Sequence, residues 1–259
     1  MSTVLESIIE GVLEDVKARE VPLSQLHARI DGSEPLRGAL QALSHGEDLK
    51  IISEVKRSSP SKGALADIPS PEKLAAEYQE GGACVVSVLT EERRFKGSIA
   101  DFEAVRKAIT IPMLRKDFIV TEFQVLESRA IGSDLLLLIV AGLTQSQYID
   151  FHQMATELGM DILVEVHSEE ELERALEIDP KIIGVNSRNL KTLDLDFKMF
   201  DRMIPMIPNG ILKVAESGIS TREEVAHIES LGANAILVGE TLVRAGNPRS
   251  AIKNLLGTL

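Results

Sequence analysis

From about residue 48 onward the chain alternates short apolar segments with segments patterned as helices, eight times over. The apolar segments are 50–55, 84–89, 111–114, 134–140, 161–166, 181–185, 211–215 and 234–238. Most are rich in Leu and β-branched residues and lack polar alternation, as parallel strands do when helices cover them. Ser70-Pro71 supplies an N-cap followed by Pro at the first helical position. Thr121 with Gln124, Thr144 with Gln147, Ser168 with Glu171 and Ser220 with Glu223 have the spacing of capping boxes. Gly159 and Gly232 mark helix ends. Tyr148, Phe151, Ala155 and Leu158 fall on one helical face, and Asn247-Pro248 opens a last helix toward Leu256. Eight βα units in roughly 210 residues predict an α/β fold, a (β/α)8 TIM barrel. The competing open doubly wound sheet usually carries a GxGxxG turn after its first strand, and none is present. Residues 1–259 are therefore expected to form one barrel domain, with 1–47 an N-terminal helical extension. Val4, Ile8, Val12 and Val16 form a helical stripe there, and a second helix is expected over 36–43. The extension would pack on the barrel, with a place over its mouth open to it.

Polar side chains sit where the apolar segments end: Glu54, Lys56, Lys116, Glu165, Asn186 and Glu216. Removing water from a charge is expensive unless the charge is paired. Several unlinked strands ending this way imply one shared site at the C-terminal rim, where barrel enzymes work. Alternation points Glu54 and Lys56 the same way. Two ammonium groups facing carboxylates is equipment for proton transfer. Structural ion pairing accounts for any one of these residues alone, but less readily for the whole set. At the opposite ends, Asp134, Asp161 and Lys181 are expected to mark nothing but solvent.

Glu216-Ser217-Gly218 and Gly239-Glu240 follow segments seven and eight. Those loops frequently bind phosphate in this fold, although turn chemistry alone also uses Gly. Ser59 and Lys56 reach the same corner from the first loop. That loop runs over 57–70, is rich in Ser, Pro and Gly, and reads as a lid or as a floppy connection. Phe95, Phe118 and Leu190 follow segments two, three and six. They suit a slot for an aromatic ring or ordinary core packing.

A net charge of −12 with no broad basic cluster argues against nucleic-acid binding and against an anionic membrane surface. The longest apolar run, Leu135-Leu136-Leu137-Leu138-Ile139-Val140, is too short to span a bilayer. One cysteine, Cys84, rules out a disulfide within the chain and fits a reducing cytosol. The acidic N-terminal segment does not read as a signal peptide. No histidine pair has metal-ligand spacing, so no metal is expected, and His167 falls past its strand end. No GxSxG elbow is present.

Ile52-Ser53-Glu54-Val55-Lys56-Arg57-Ser58-Ser59-Pro60-Ser61, Leu114-Arg115-Lys116-Asp117-Phe118, Glu165-Val166-His167, Gly184-Val185-Asn186-Ser187-Arg188-Asn189-Leu190 and Ala215-Glu216-Ser217-Gly218-Ile219 together resemble the indole-3-glycerol-phosphate synthases. Ser87-Val88-Leu89-Thr90-Glu91 and Val238-Gly239-Glu240 match as well, and the likeness runs from the extension to the last helix. Gly142 is a minor departure, and the chain has no Trp to supply the family's N-terminal aromatic contacts. The resemblance implies a cytoplasmic lyase of tryptophan biosynthesis that needs no cofactor. It would convert 1-(2-carboxyphenylamino)-1-deoxyribulose 5-phosphate to indole-3-glycerol phosphate, losing CO2 and water. Lys116 would be the acid at the ketone and Lys56 the partner of the departing carboxylate or a second acid. Glu165 would be the base in dehydration, and Glu54 would orient the lysines. Asn186 and Glu216 would hold sugar hydroxyls or the anilino nitrogen, with Arg188 on the carboxylate side. Ser59, Ser217, Gly218, Gly239 and Glu240 would surround the phosphate. A monomer or weak homo-oligomer is expected. Two rival readings remain: a phosphosugar aldolase with a Schiff-base lysine, and a barrel that binds a sugar phosphate without turnover.

Overall fold

The structure is a computed structural model and describes residues 3–258. Eight parallel strands close into a barrel: β1 Lys50–Val55, β2 Val85–Leu89, β3 Met113–Lys116, β4 Leu135–Ile139, β5 Asp161–Val166, β6 Ile182–Asn186, β7 Leu212–Glu216 and β8 Ala235–Val238. Each pairs with its neighbours in sequence, and β8 closes on β1 with Lys50 opposite Ala235 and Ser53 opposite Val238. Strands β2, β4, β6 and β8 are buried along their whole length. That explains their unbroken apolar character: one face fills the barrel and the other meets helices.

Three helices precede the barrel: α1 Val4–Arg19, α2 Leu23–Asp31 and α3 Ala39–Ser44. The outer layer is α4 Pro71–Gly81, α5 Ile99–Ala108, α6 Glu122–Ala130, α7 Gln145–Glu157, α8 Glu169–Ala175, α9 Met199–Met203 and α10 Arg222–Ser230. The short α11 Glu240–Val243 and α12 Pro248–Leu256 follow β8. Reciprocal capping boxes start α1 (Thr3 with Glu6) and α7 (Thr144 with Gln147). Each satisfies backbone donors and stabilises its helix by about 1 kcal/mol. Gly159 and Gly232 take φ of 80° and 91° just past α7 and α10, as expected.

Several local expectations move. The box at α10 is Thr221 with Glu224, one residue later than Ser220 with Glu223, because both Ser220 and Thr221 amides donate to Glu224. Thr121 and Ser168 do cap α6 and α8. Their reciprocal halves are absent, since Gln124 accepts from the Val120 amide and Glu171 from the His167 amide. Ser70 makes no side-chain cap bond at α4. Strand β3 begins and ends two residues later than expected, so Lys116 lies within it.

The N-terminal helices travel the height of the barrel. Helix α1 buries Leu5, Ile8, Val12 and Val16, and Ile8 reaches the mouth. Arg94 donates to Ser7 and Arg93 pairs with Asp15, clamping the loop after β2 to α1. Helix α2 packs on the flank at α6, and α3 with the segment before it seals the base. Asp134 and Asp161 anchor that seal, which overturns the expectation that they only mark solvent. Asp134 is 1% exposed and pairs with Arg106 at 2.5 Å while accepting from the Arg37 and Met113 amides. Asp161 accepts from the Leu40 amide. Burying a carboxylate is tolerable here because charged and backbone donors surround it. Lys181 meets the expectation, pairing with Asp179 at the surface.

Candidate active site

The polar residues at the strand ends converge on one cavity of about 370 Å3 at the C-terminal rim. Glu54, Lys56, Lys116, Glu165, Asn186 and Glu216 line it, and so do Ser59, Phe95, Phe118, Arg188, Leu190, Ser217, Gly218, Gly239 and Glu240. Parallel register explains the convergence. Leu89 sits beside Lys116, Ile139 beside Glu165 and Asn186 beside Glu216, so neighbouring strands aim these side chains inward at similar heights.

Lys116 Nζ lies 2.6 Å from Glu165 Oε2 and 3.3 Å from Glu216 Oε2. Asn186 Nδ2 donates to Glu165 Oε1 at 3.1 Å, and Asn186 Oδ1 accepts from the Arg188 amide, which fixes the carboxamide's orientation. Lys56 Nζ stands 2.5 Å from Glu54 Oε1. Glu54, Glu165 and Glu216 are almost wholly buried. Two glycines make room for them. A Cβ at Gly184 would collide with Glu216 Oε1, and one at Gly239 with Glu54 Oε1.

Burial pushes the Lys116 ammonium toward neutrality, but Glu165, Glu216 and Glu54 outweigh it and hold the group charged beyond the ordinary lysine range. The carboxylates divide unequally. Burial raises both, yet Glu165 has the closer ammonium and His167 besides, and is held well below the usual carboxylate range. Glu216 has burial and the Glu165 charge against it and only the more distant contact with Lys116, so it is pushed up to about 8. One carboxylate is ionised and the other largely protonated near neutrality, the separation that assigns base and acid in paired carboxyl sites.

Two further corners complete the cavity. Phe95 and Phe118 lie tilted to each other with ring centroids 6.1 Å apart, and Leu190 and Ile8 of α1 line the same cavity. A buried carboxylate fixes the turn under each ring. Glu91 accepts from the Arg93, Arg94 and Phe95 amides, and Asp117 accepts from the Phe118 amide and the Thr90 hydroxyl. Behind Lys116, the fully buried Arg115 joins Asp117 to Glu127, and Glu127 accepts from Arg19 at the end of α1. Across the cavity, Ser217 and Gly218 adopt φ of 69° and 73°. The Thr241 hydroxyl donates to the Ile219 carbonyl at 2.8 Å and joins the loops after β7 and β8. Cations gather there. Lys62 and Arg244 flank Glu240 at 2.7 Å and 3.3 Å, and Lys56 is near. Lys62 stands at the turn of a small hairpin, Ser58–Ser59 paired with Gly63–Ala64, so the first loop is ordered rather than floppy.

Ile8, Lys62, Arg244 and His167 are among the contributors that sequence reasoning missed. Ile8 was visible only as one member of an apolar stripe. Lys62 stood in a loop whose fold no period announces. Arg244 looked like an ordinary surface helix residue. His167 lies two residues past Glu165, and the parity that aims Glu165 inward was the available signal for it.

A closed barrel with lysine–carboxylate pairs, an aromatic slot and a cationic corner at its C-terminal rim defines an enzyme of the (β/α)8 class that handles a small anionic substrate. Solved structures agree on the fold: 3-hexulose-6-phosphate synthase from Salmonella typhimurium superposes with a TM-score of 0.66 at 14% identity, covering 82% of this chain and 98% of that one. The family model for indole-3-glycerol phosphate synthase matches residues 5–255. Indole-3-glycerol phosphate synthase of Paenarthrobacter aurescens (strain TC1) is 53% identical over 256 residues, 96% of this chain and 94% of its own. That of Rhodococcus jostii (strain RHA1) is 52% identical over 98% and 95%. The chain belongs to the indole-3-glycerol phosphate synthase family, decarboxylating lyases of tryptophan biosynthesis that act on a phosphorylated small molecule.

Proposed function

We propose that this cavity closes the indole ring of 1-(2-carboxyphenylamino)-1-deoxyribulose 5-phosphate, with Lys116 as the acid that meets the ketone oxygen. The observation that carries the reading is the Lys116 ammonium between Glu165 and Glu216, at 2.6 Å and 3.3 Å, below an aromatic slot. The ring carbon bearing the carboxylate attacks the ketone, and the developing alkoxide takes a proton from Lys116. The bond to the carboxylate then breaks, and its electrons restore the ring as CO2 leaves. Lys56 accompanies that carboxylate, and Glu54 orients Lys56. In the second half Lys116, once reprotonated, gives a proton to the new hydroxyl, which departs as water, and Glu165 removes the proton from the adjoining carbon. Asn186 holds Glu165, and the protonated Glu216 is placed to bond the anilino nitrogen or a sugar hydroxyl. Phe95, Phe118 and Leu190 stack on the aryl ring, with Arg188 toward its carboxylate. Ser59, Ser217 and the backbone at Gly218, Gly239 and Glu240 surround the phosphate.

A Schiff-base mechanism requires a neutral amine, and the carboxylates around Lys116 oppose that state. Mixing protein with the carboxyphenylamino ribulose phosphate and following indole fluorescence tests the reading directly. Product is expected, together with no adduct when borohydride and a keto-sugar phosphate are added. An absence of indole product, or a trapped lysine adduct, would overturn it. The apolar core is one cluster from Leu5 to Leu255, which supports a single domain over 1–259 with 1–47 as its extension. Among the described residues no helix is long and apolar enough to cross a membrane. The lone Cys84 thiol, pushed up to about 11 by burial, suits a reducing cytosol, and we read the enzyme there as a monomer or weak homo-oligomer.

A further inference from the structure

The reaction set out above does not balance in protons without solvent. The alkoxide takes one proton and the departing hydroxyl another, while the adjoining carbon returns only one. The carboxylate leaves as CO2 and carries none away. Each turnover therefore leaves the site one proton short, at Lys116 and Glu165, whose side chains are 11% and 1% exposed beneath the bound substrate.

A second path reaches that pair from behind. Glu165 Oε1, on the side of the carboxylate away from Lys116, stands 3.1 Å from His167 Nε2, and His167 Nδ1 stands 3.2 Å from Glu171 Oε2. His167 is 6% exposed at its side chain and Glu171 18%, so the path opens outward. Neither residue lines the cavity, so a ligand in the mouth leaves their access to water intact. The Glu171 carboxylate accepts from the His167 amide at 2.7 Å, and the Glu171 amide donates to the Ser168 hydroxyl.

We propose that His167, braced by Glu171, is a side relay that returns one proton per turnover from solvent to the Lys116–Glu165 pair. The proposal rests on the assignment of Lys116 and Glu165 made above. In the relay, His167 gives its Nε2 proton to Glu165 Oε1, the now neutral carboxyl turns about its Cγ–Cδ bond, and Glu165 passes that same proton to the neutral Lys116 amine. The imidazole keeps its Nδ1 proton toward Glu171, turns Nε2 away from Glu165, takes a proton there from solvent and turns back. Every donor ends as it began, and one solvent proton has entered. The ring is suited to the step. Burial disfavours its cation, but the two carboxylates facing it, Glu165 on β5 and Glu171 on α8, outweigh burial and push it up to about 9. It is therefore charged at neutral pH. The Nε2 contact with Glu165 lies within ion-pair distance yet off the hydrogen-bond direction, so a small ring rotation makes or breaks the connection.

The test is single-turnover kinetics with enzyme in excess, reading indole fluorescence and proton uptake by a pH indicator, for the wild type, His167→Asn and Glu171→Gln. In His167→Asn, product formation should slow about tenfold or more, a loss of the size general acid–base groups produce. Substrate affinity should stay within about twofold, because the residue does not touch the cavity. The solvent deuterium isotope effect should rise, and free imidazole should restore the rate in proportion to its concentration. Glu171→Gln, at the exposed end and further from Glu165, should show a smaller effect of the same kind. A His167→Asn rate close to wild type would overturn the relay. So would a slow rate that imidazole leaves unchanged with an unaltered isotope effect, which would make His167 only a support for Glu165. Lys116→Ala tests the underlying reading separately: if that variant forms product at a near-normal rate, the assignment of Lys116 falls, whatever His167 does.

Discussion

At the scale of single residues, the site is a contest over one ammonium. Glu165 and Glu216 both approach Lys116, and the nearer one, seconded by His167, keeps its charge. Lys116→Ala or Glu165→Gln should each lower kcat about 10²-fold or more, the usual consequence of removing a general acid or base. Near-normal turnover in both would end their assignment. Glu216 yields a prediction of opposite sign for stability. Its folded pKa of about 8 lies above that of an unfolded carboxyl, so folding binds a proton between the two values. The penalty is absent at low pH, grows as pH rises from the unfolded value, and is complete above about 8. Glu216→Gln should therefore raise Tm relative to wild type at pH 9 and change it little at pH 4, while lowering kcat. Thermal melts at the two pH values check this. The residues at strand ends were legible because charge in an apolar context is conspicuous. The unequal protonation of Glu165 and Glu216 was not, since it depends on a difference of under an ångström in distance to a residue on another strand.

At the scale of elements, the chain supports its chemistry from outside the cavity. Arg115 alternates with Lys116 along β3 and faces away from it, into a buried cluster with Asp117, Glu127, Thr90 and Ser128. Arg115→Ala takes from buried Asp117 its charged partner and leaves Glu127 with Arg19 alone, and should cost about 3–5 kcal/mol, the range seen when a buried pair loses one member. Denaturant unfolding measures it. Arg19→Ala removes only the outer, partly exposed member, and its loss should be about 1 kcal/mol or less. The first loop gives a binding prediction. Lys62 ties the hairpin to Glu240 of α11 beside the cationic corner. Lys62→Ala should raise KM several-fold with kcat nearly unchanged, because the charge acts on binding rather than on the reacting atoms. The eight strands and most helices could be read from period and caps. The hairpin and the Arg115 cluster could not, because neither has a periodic signal and Arg115 reads in the sequence as one more surface charge.

At the scale of the whole molecule, the barrel separates work from support by height. The cavity lies at one rim, while Asp134, Asp161, Arg106 and Arg37 fasten α3 and its approach to the other. Asp134→Ala should lower Tm by several degrees through loss of its pair with Arg106. It should leave kcat and KM close to wild type at temperatures where the variant is folded. Parallel melts and assays would show whether base and rim are independent. The sequence announced the extension but not its route. An amphipathic stripe says that a helix is covered, and nothing in it says by what.

That route matters when the protein is made. Helix α1 leaves the ribosome with Leu5, Ile8, Val12 and Val16 bare. The groups that receive the extension, from Arg93 and Glu127 to Asp161, are translated much later. At typical synthesis speeds the apolar stripe waits roughly 10–30 s for its berth. Nascent chains stalled before residue 130 should therefore be the ones that recruit holding factors, and those stalled beyond 161 should let them go.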